Sequence, residues 1–411
     1  MSLDDTVLSF FPEDAPAEPS ENLKAMRVRD LLAMSTGHHA DAIEPFPYTD
    51  PAVSQTRAFL SLPVAHKPGT HFVYNTPASY MLSAIVQKVS GTPLVDYLRP
   101  RLFEPLGIRN PKWDATPKGV SLGGFGLSVT TEDIARFGQL YLQKGEWEGQ
   151  RILPAEWVAA ATARQVSNGS NPASDWDQGY GYQFWRCRHG LYRGDGAFGQ
   201  YCIVMPERDA VVAITSGVRD MQAVLNLVWE HLLPGMRAAA SLPADTPTQD
   251  RLSKKLASLS LPPPAGKATS PTARRVSGRA YELPKNDDGI ETIAVDLGKE
   301  PTLVVRLSGQ EYRVPFGIGS WRYGGRLPMG RSRLQDDAPS AVAATGAWTD
   351  DDTLALKACF HETPFCATLA LRFAGDALVL DREMNVGFGP TKRPTLVGLP
   401  RRIAASARPK S

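Results

Sequence analysis

The sequence predicts an α+β fold followed by an all-β domain, and three observations carry that prediction. A capped amphipathic helix runs from Thr76 to Gly91, with further helical segments on either side of it. A run of β-like segments from Gly179 to Gly217 is closed by a helix from Met221 to Leu233. Beyond a stretch rich in Ala, Pro, Ser and Lys, short apolar strands recur at regular spacing between polar turns. Helices, then strands of one antiparallel sheet, then a closing helix make an α/β sandwich with a helical region, and the regular short strands make a barrel-like meander. The expected spans are 1-235 for the first domain, 236-275 for a linker and 276-405 for the second domain.

Each element has its own signals. Val28 to Thr36 reads as a short amphipathic helix stopped by Gly37, with Ser35 as a cap, and His38 and His39 follow in a loop as surface residues. In the central helix Ala78, Met81, Leu82, Ile85, Val86 and Val89 recur at three- and four-residue steps, which gives one buried face. Thr76 suits the N-cap, Pro77 the first helical position, and Ser90-Gly91 a left-handed stop. Tyr74 then falls just outside the helix N-terminus, where the dipole and unpaired amides favour a partly anionic oxygen. That is a position for a catalytic phenol; the alternative is an ordinary half-buried aromatic at a strand end.

Pro93 to Leu106 gives another helical segment ending at Gly107. The glycine-rich run from Ser121 to Thr131 lacks the Gly-Lys-Ser/Thr of a phosphate loop, and Thr131-Glu132-Asp133 instead opens a capped helix. Pro154 to Val166 is a further helix, and Pro206-Glu207-Arg208-Asp209 is the turn between two apolar strands. Within the stretch after Gly235, Asp250 to Ser258 reads as one short helix. In the second domain Trp321, Trp348 and Phe360 read as core residues.

Composition narrows the functional classes. With 411 residues and 42% hydrophobic content, two or three full cores are expected. Lys plus Arg (45) nearly balance Asp plus Glu (43), so no global field recruits nucleic acid or a membrane surface. The basic tail (Lys392, Arg393, Arg401, Arg402, Arg408, Lys410) reads as a solvated terminus. These residues show neither an apolar run of membrane-spanning length nor an export signal, which leaves periplasm and cytoplasm both open. Four cysteines lack zinc-like spacing, and no metal or cofactor is expected. Cys359 and Cys366 bracket HETPF and could face each other across a hairpin, with His361 and Glu362 between them; buried free thiols are expected over a disulfide or a metal site.

The wording around the central helix resembles the serine β-lactamase and penicillin-binding-protein family, in its class C-like esterase and D-aminopeptidase branch. Tyr74-Asn75-Thr76 stands at that family's Tyr-x-Asn, with Thr76 in place of the asparagine that contacts substrate and the catalytic lysine. Ser2-Leu3-Asp4-Asp5 and Val28 to Gly37 match family segments, and Arg193-Gly194-Asp195-Gly196-Ala197-Phe198-Gly199-Gln200-Tyr201 stands at the third motif, Lys-Thr-Gly or His-x-Gly. There Gly194 replaces the basic residue and Gly196 is the match. The resemblance implies roles for Tyr74 in proton relay, for the Ala197 amide as an oxyanion donor, and for Thr76, Arg193, Asp195 and Gly196 in substrate contact. For Arg193 and Asp195 a strand-edge ion pair is the equal alternative. It also implies that the second domain resembles the lipocalin-like appendage of some of these hydrolases, as structural cover or as a ligand binder.

The family's nucleophile, the serine of Ser-x-x-Lys, has no counterpart here: at none of the chain's lysines is the residue three positions earlier a serine. By the resemblance this motif precedes the Leu-Asp-Asp segment, so the expectation is an N-terminally incomplete domain with an unpaired sheet edge and open core faces. The functional expectation is a hydrolase of ester, amide or D-peptide bonds in small-molecule or peptide substrates, inactive as written. The alternative is a non-catalytic penicillin-binding-like fold that binds a ligand or partner. Substrate and oligomeric state stay open.

Overall fold

The structure, a computed structural model, describes residues 1–43, 46–236, 243–328 and 339–401. Arg402, Arg408 and Lys410, the end of the second domain's expected span and part of the expected linker lie outside the described residues. The chain divides into two units, the first made chiefly of residues 1–216 and 220–236, the second chiefly of 243–328 and 339–401.

Local chemistry accounts for the helices of the first unit. Helix α1 (Val28–Leu32) ends earlier than its sequence predicts, because Met34 already takes a left-handed φ of 54°. Gly37 (φ 87°) lies where an added Cβ would fall 2.2 Å from the His66 carbonyl oxygen, so only glycine fits. Helix α2 (Thr76–Ser90) stops at Gly91 in the left-handed region (φ 69°), as expected. Its burial changes along its length. Residues 76–81 are buried all round, whereas Leu82 and Val86 are half-buried and Val89 is 56% exposed, so the helix emerges from the core towards its C-terminus. Helix α3 (Thr131–Leu142) opens with a reciprocal capping box in which Asp133 N donates to Thr130 Oγ1 (3.1 Å) and Thr130 N to Asp133 Oδ2 (3.0 Å). Helix α4 spans Ala155–Thr162.

Four antiparallel strands follow in the order β1 (Trp185–Arg186), β2 (Tyr192–Gly196), β3 (Gln200–Met205) and β4 (Ala210–Ile214). Helix α5 (Met221–Leu227), capped by Asp220 on Ala223 N at 2.9 Å, comes after them. Strand alternation sorts the β2 and β3 side chains onto two faces. Tyr192, Cys202 and Val204 pack with α3 and α4, while Tyr201, Ile203 and Met205 pack with Leu225 and Trp229. Gly138 of α3 lets the helix close onto the sheet, since a Cβ there would lie 2.6 Å from a Val211 methyl and 2.8 Å from Cys202 Sγ. A separate core gathers Val7, Met26, Leu31, Met34 and Phe59 around Ala78, Met81 and Ile85 of α2.

The second unit begins with α6 (Thr246–Ala257), close to the expected helix, and then turns to β structure. Its strands are β5 (Tyr281–Glu282), β6 (Ile290–Asp296), β7 (Thr302–Leu307), β8 (Gln310–Pro315), β9 (Gly317–Ile318), β10 (Arg322–Leu327), β11 (Ser340–Trp348), β12 (Thr353–Cys359), β13 (Cys366–Ala374), β14 (Ala377–Met384) and β15 (Leu396–Pro400). Among the described residues they form one barrel-like sheet of 11 strands, ordered β8-β7-β6-β5-β15-β14-β13-β12-β11-β9, with β10 also paired to β11. Large side chains fill its core, among them Trp348, Phe360, Phe373, Tyr281 and Phe316. Trp321 is only half-buried, its indole N–H donating to the Leu261 carbonyl at 2.7 Å.

His38 and the cysteine pair also depart from the sequence expectation. His38 is not a surface residue but 3% exposed, drawn inward because the Gly37 turn pairs with residue 66 and lays the ring edge-on against Phe59. Cys359 and Cys366 are a disulfide rather than free thiols, since the β12–β13 register sets them directly opposite, with Cα atoms 4.0 Å apart. Cys187 and Cys202 are free and buried.

A disulfide closing so short a loop removes modest chain entropy. Replacing both Cys359 and Cys366 by alanine is expected to lower the second unit's unfolding free energy by about 2 kcal/mol, read as a shift in urea midpoint at unchanged slope.

Candidate functional site

Tyr74 is held in place by its neighbours in the chain. Val73 N donates to the Met34 carbonyl at 3.0 Å, and Asn75, with no exposed surface, places its N–H against Met34 Sδ at 3.4 Å. The Asn75 side-chain nitrogen lies 3.2 Å from His38 Nδ1, which also meets the Thr36 hydroxyl at 2.8 Å. Burial pushes the His38 imidazole down from 6.5 to about 4, which keeps it neutral.

The helix mouth is built differently from the sequence expectation. Asn75, not Thr76, is the N-cap of α2, and its side chain makes no capping bond. The carboxylate of Asp41, remote in sequence, does this work. It accepts from Thr76 N at 3.1 Å, from the Thr76 hydroxyl at 3.3 Å and from Ile43 N at 3.1 Å. No local pattern in the sequence marks a cap 35 residues away from its helix.

Arg193 and Asp195 sit on one face of β2 and form an ion pair, with Arg193 Nη2 2.8 Å and Nε 2.9 Å from Asp195 Oδ2. The arginine has no exposed surface. Its Nη1 donates to the Asp175 carbonyl (2.8 Å) and to Cys187 Sγ (3.2 Å), and its guanidinium lies over Trp176 (4.7 Å), Trp185 (5.6 Å) and Tyr201 (5.9 Å). Of the two sequence alternatives the geometry is thus the ion pair, but in the core and not at a strand edge; the guanidinium has no exposed surface to offer a ligand. Asp175, also fully buried, accepts from Arg188 Nε (2.9 Å), Gln222 Nε2 (2.7 Å) and Trp229 Nε1 (3.0 Å), which ties β2 to α5.

The remaining residues lie in the hairpin after β2. Gly196 pairs with Gln200, and Ala197 is exposed in the turn, its carbonyl accepting from Gln200 Nε2 at 3.1 Å. The Gln200 amide also bonds residue 216 in both directions, which fixes the turn.

Tyr74 meets the Arg193 cluster through Trp185. The two rings stack at 5.4 Å with planes 22° apart, and Tyr180 stands edge-on at 6.4 Å. Although 37% of Tyr74 is exposed, these rings wall its phenol. Burial first, then the negative charges of Asp195 and Asp41, push the phenol up to about 12. That is opposite to the partly anionic oxygen expected beside a bare helix N-terminus, because the phenol loses water to the rings around it and the charges near it, Asp195 and Asp41, are negative. Burial likewise pushes the Asp195 carboxyl up, while Arg193 pulls it back. No group of three or more His, Cys, Asp or Glu among the described residues could hold a metal ion, and no helix among them is long and apolar enough to cross a membrane.

Comparison with known proteins gives one family match. A family model described as Beta-lactamase matches residues 1–225. Penicillin-binding protein 4 of Amycolatopsis lactamdurans is 29% identical over 185 residues, covering 36% of this chain and 47% of that protein. The 6-aminohexanoate-dimer hydrolase of Paenarthrobacter ureafaciens is 27% identical over 156 residues, covering 36% of this chain and 40% of that protein. The chain therefore spans less than half the length of these curated relatives. An octameric penicillin-binding protein homologue from Pyrococcus abyssi aligns over 97% of this chain and 82% of its own, at 16% identity and a TM-score of 0.43.

Two outcomes follow from the geometry. Replacing Arg193 by methionine strands the Asp195 carboxylate in the core and is expected to cost about 3–5 kcal/mol in urea unfolding, with a large part regained when Asp195→Leu is added. For His38 the folded value lies below the unfolded one, so the unfolded chain binds the extra proton first. Stability is then full above about pH 6.5 and falls as pH drops towards 4, by about 3 kcal/mol at the bottom of that window. Urea midpoints at pH 7 and pH 4.5, compared with those of His38→Gln, read this directly.

Proposed function

Since the chain belongs to the Beta-lactamase family, we propose that residues 1-235 are a serine-hydrolase-type domain whose ligand site lies at Tyr74. By the same reading 236-275 is a linker and 276-405 a barrel-like appendage. The ligands are ester, amide or D-peptide compounds, in keeping with relatives named a penicillin-binding protein and a 6-aminohexanoate-dimer hydrolase. In these 411 residues the site binds but does not form an acyl-enzyme. The observation that carries this reading is the packing of Tyr74, stacked on Trp185 at 5.4 Å with Tyr180 edge-on at 6.4 Å; these rings and the charges of Asp195 and Asp41 favour the protonated phenol, whereas a proton relay must release the proton. A second feature agrees with it: none of the lysines follows a serine at the Ser-x-x-Lys spacing by which the family pairs its nucleophile with an amine.

Within this reading Tyr74 acts as a neutral hydrogen-bond donor and ring wall, and the Ala197 amide as the donor for a ligand carbonyl. Thr76, its hydroxyl turned to Asp41, and Gly196 shape the mouth. Arg193 and Asp195 belong to its support, with Asp195 adding negative charge.

The test is chemical labelling together with turnover. Neither a fluorophosphonate nor a penicillin-type probe is expected to label a defined serine, and Tyr74→Phe is expected to leave hydrolysis of p-nitrophenyl acetate at the level of the unaltered protein. Stoichiometric labelling of one serine, or a hundredfold loss of turnover in Tyr74→Phe, would show that the chain carries its own acyl-transfer chemistry.

A further inference from the structure

We propose that the free edge of β4 pairs with the β4 edge of a second copy of this chain, antiparallel about a two-fold axis at Val212, so that two four-stranded sheets join into one. The proposal goes beyond the ligand-site reading and does not depend on it.

The outer strands of the first unit's sheet differ. β1 offers only Trp185 and Arg186, and Trp185 has a further bridge to Tyr180. β4 offers five residues, Ala210 to Ile214, each half-buried and laddered to β3 without a bulge. Among the described residues no strand or isolated bridge takes the other side of β4, and no group pairs with its outward amides and carbonyls.

Sheet edges are ordinarily blunted by a lysine, a proline, a bulge or great shortness. β4 has none of these. Its sequence, Ala-Val-Val-Ala-Ile, is uncharged, and its three β-branched side chains suit a pleated, half-buried surface. Such an edge is a template for another strand.

Register selects a second β4 as the occupant. Paired residues of neighbouring strands share a face, so a joining strand has to keep the α3 side (Val211, Ala213) and the α5 side (Ala210, Val212, Ile214) in phase. Pairing centred on Val212 does this, setting Val212 against its own copy, Val211 against Ala213 and Ala210 against Ile214. Every side-chain pair is then apolar. Just beyond the strand Asp209 comes to Thr215, so no like charges meet across the seam. The arrangement also closes, because the two-fold axis consumes the one long edge of each copy. A strand of five residues is short for the roughly 800 Å² per partner of a standard interface, so the dimer is weak and depends on concentration.

The experiment uses the full chain. Sedimentation velocity from about 1 µM to about 200 µM gives the mass, and hydrogen–deuterium exchange at both ends of that range reads the peptide spanning residues 209–215. The expected result is a monomer that becomes a dimer, with the fast-exchanging amides of that peptide slowed at least about tenfold at the high concentration. Val212→Lys, which sets two ammonium groups against each other at the axis, is expected to stay monomeric. A chain that is monomeric throughout overturns the proposal: free exchange of the peptide then means an edge left to water, and protection means an edge covered by another segment of the same chain. A dimer whose peptide exchanges alike at both concentrations overturns it as well, because that dimer uses another surface. So do assemblies larger than a dimer, and a folded Val212→Lys variant that still dimerises. The exchange measurement needs no variant, so it decides the matter even where Val212→Lys does not fold. None of these outcomes bears on Tyr74 or on labelling of a serine, and the ligand-site reading stands or falls separately.

Discussion

The buried guanidinium of Arg193 is the constraint on which the rest of the first unit depends. A charge with no exposed surface is tolerable only when counter-charge and hydrogen bonds replace its lost water. Here Asp195, the Asp175 carbonyl and Cys187 supply them, and three aromatic faces close around the group. Asp175 in turn gathers Arg188, Gln222 and Trp229, so the segment before β1, the β2 strand and α5 are joined by one polar network. Trp185 lies between that network and Tyr74, in ring contact with both. The position of the phenol is thus set by packing from below.

The same network fixes the electrostatics of the site. Burial of the phenol comes first, and with cationic charge nearby engaged inside the protein while carboxylates remain, the phenol holds its proton more tightly. With its value pushed up to about 12, the phenol stays protonated at pH 7. A group in that state donates a hydrogen bond well and accepts a proton poorly. Binding and orientation are the tasks it suits.

What could be read in the sequence was what is decided locally. The Gly91 stop, the capped start of α3, the turn after β3 and the closing α5 all depend on residues within a few positions of one another. So does the alternation that marks the second unit as β structure. The family wording gave the address of Tyr74, but the phenol's surroundings come from distant chain segments. Asp41 reaches the helix mouth across 35 residues, and Asp175 binds Gln222 across 47. His38 and Arg193 misled for a related reason: polar residue types suggest a surface, and their burial becomes affordable only once partners from elsewhere are in place. The Cys359–Cys366 bond could have been favoured from the strand register, which a hairpin of uncertain loop length does not reveal.

Register also explains why Arg193 is no substitute for a basic residue at position 194. Successive residues of a strand project to opposite faces. Tyr192 packs on the side of α3 and α4, and an added Cβ at Gly194 would meet the Cys202 Cβ at 3.6 Å on that same side. Arg193 and Asp195 face the other way, among Trp176, Trp185 and Tyr201. Moving the cation by one residue therefore carries it through the sheet, where it meets a carboxylate and becomes part of the core. A sequence comparison that counts an arginine beside the motif as near enough misses this, because along a β-strand a shift of one position is a change of side.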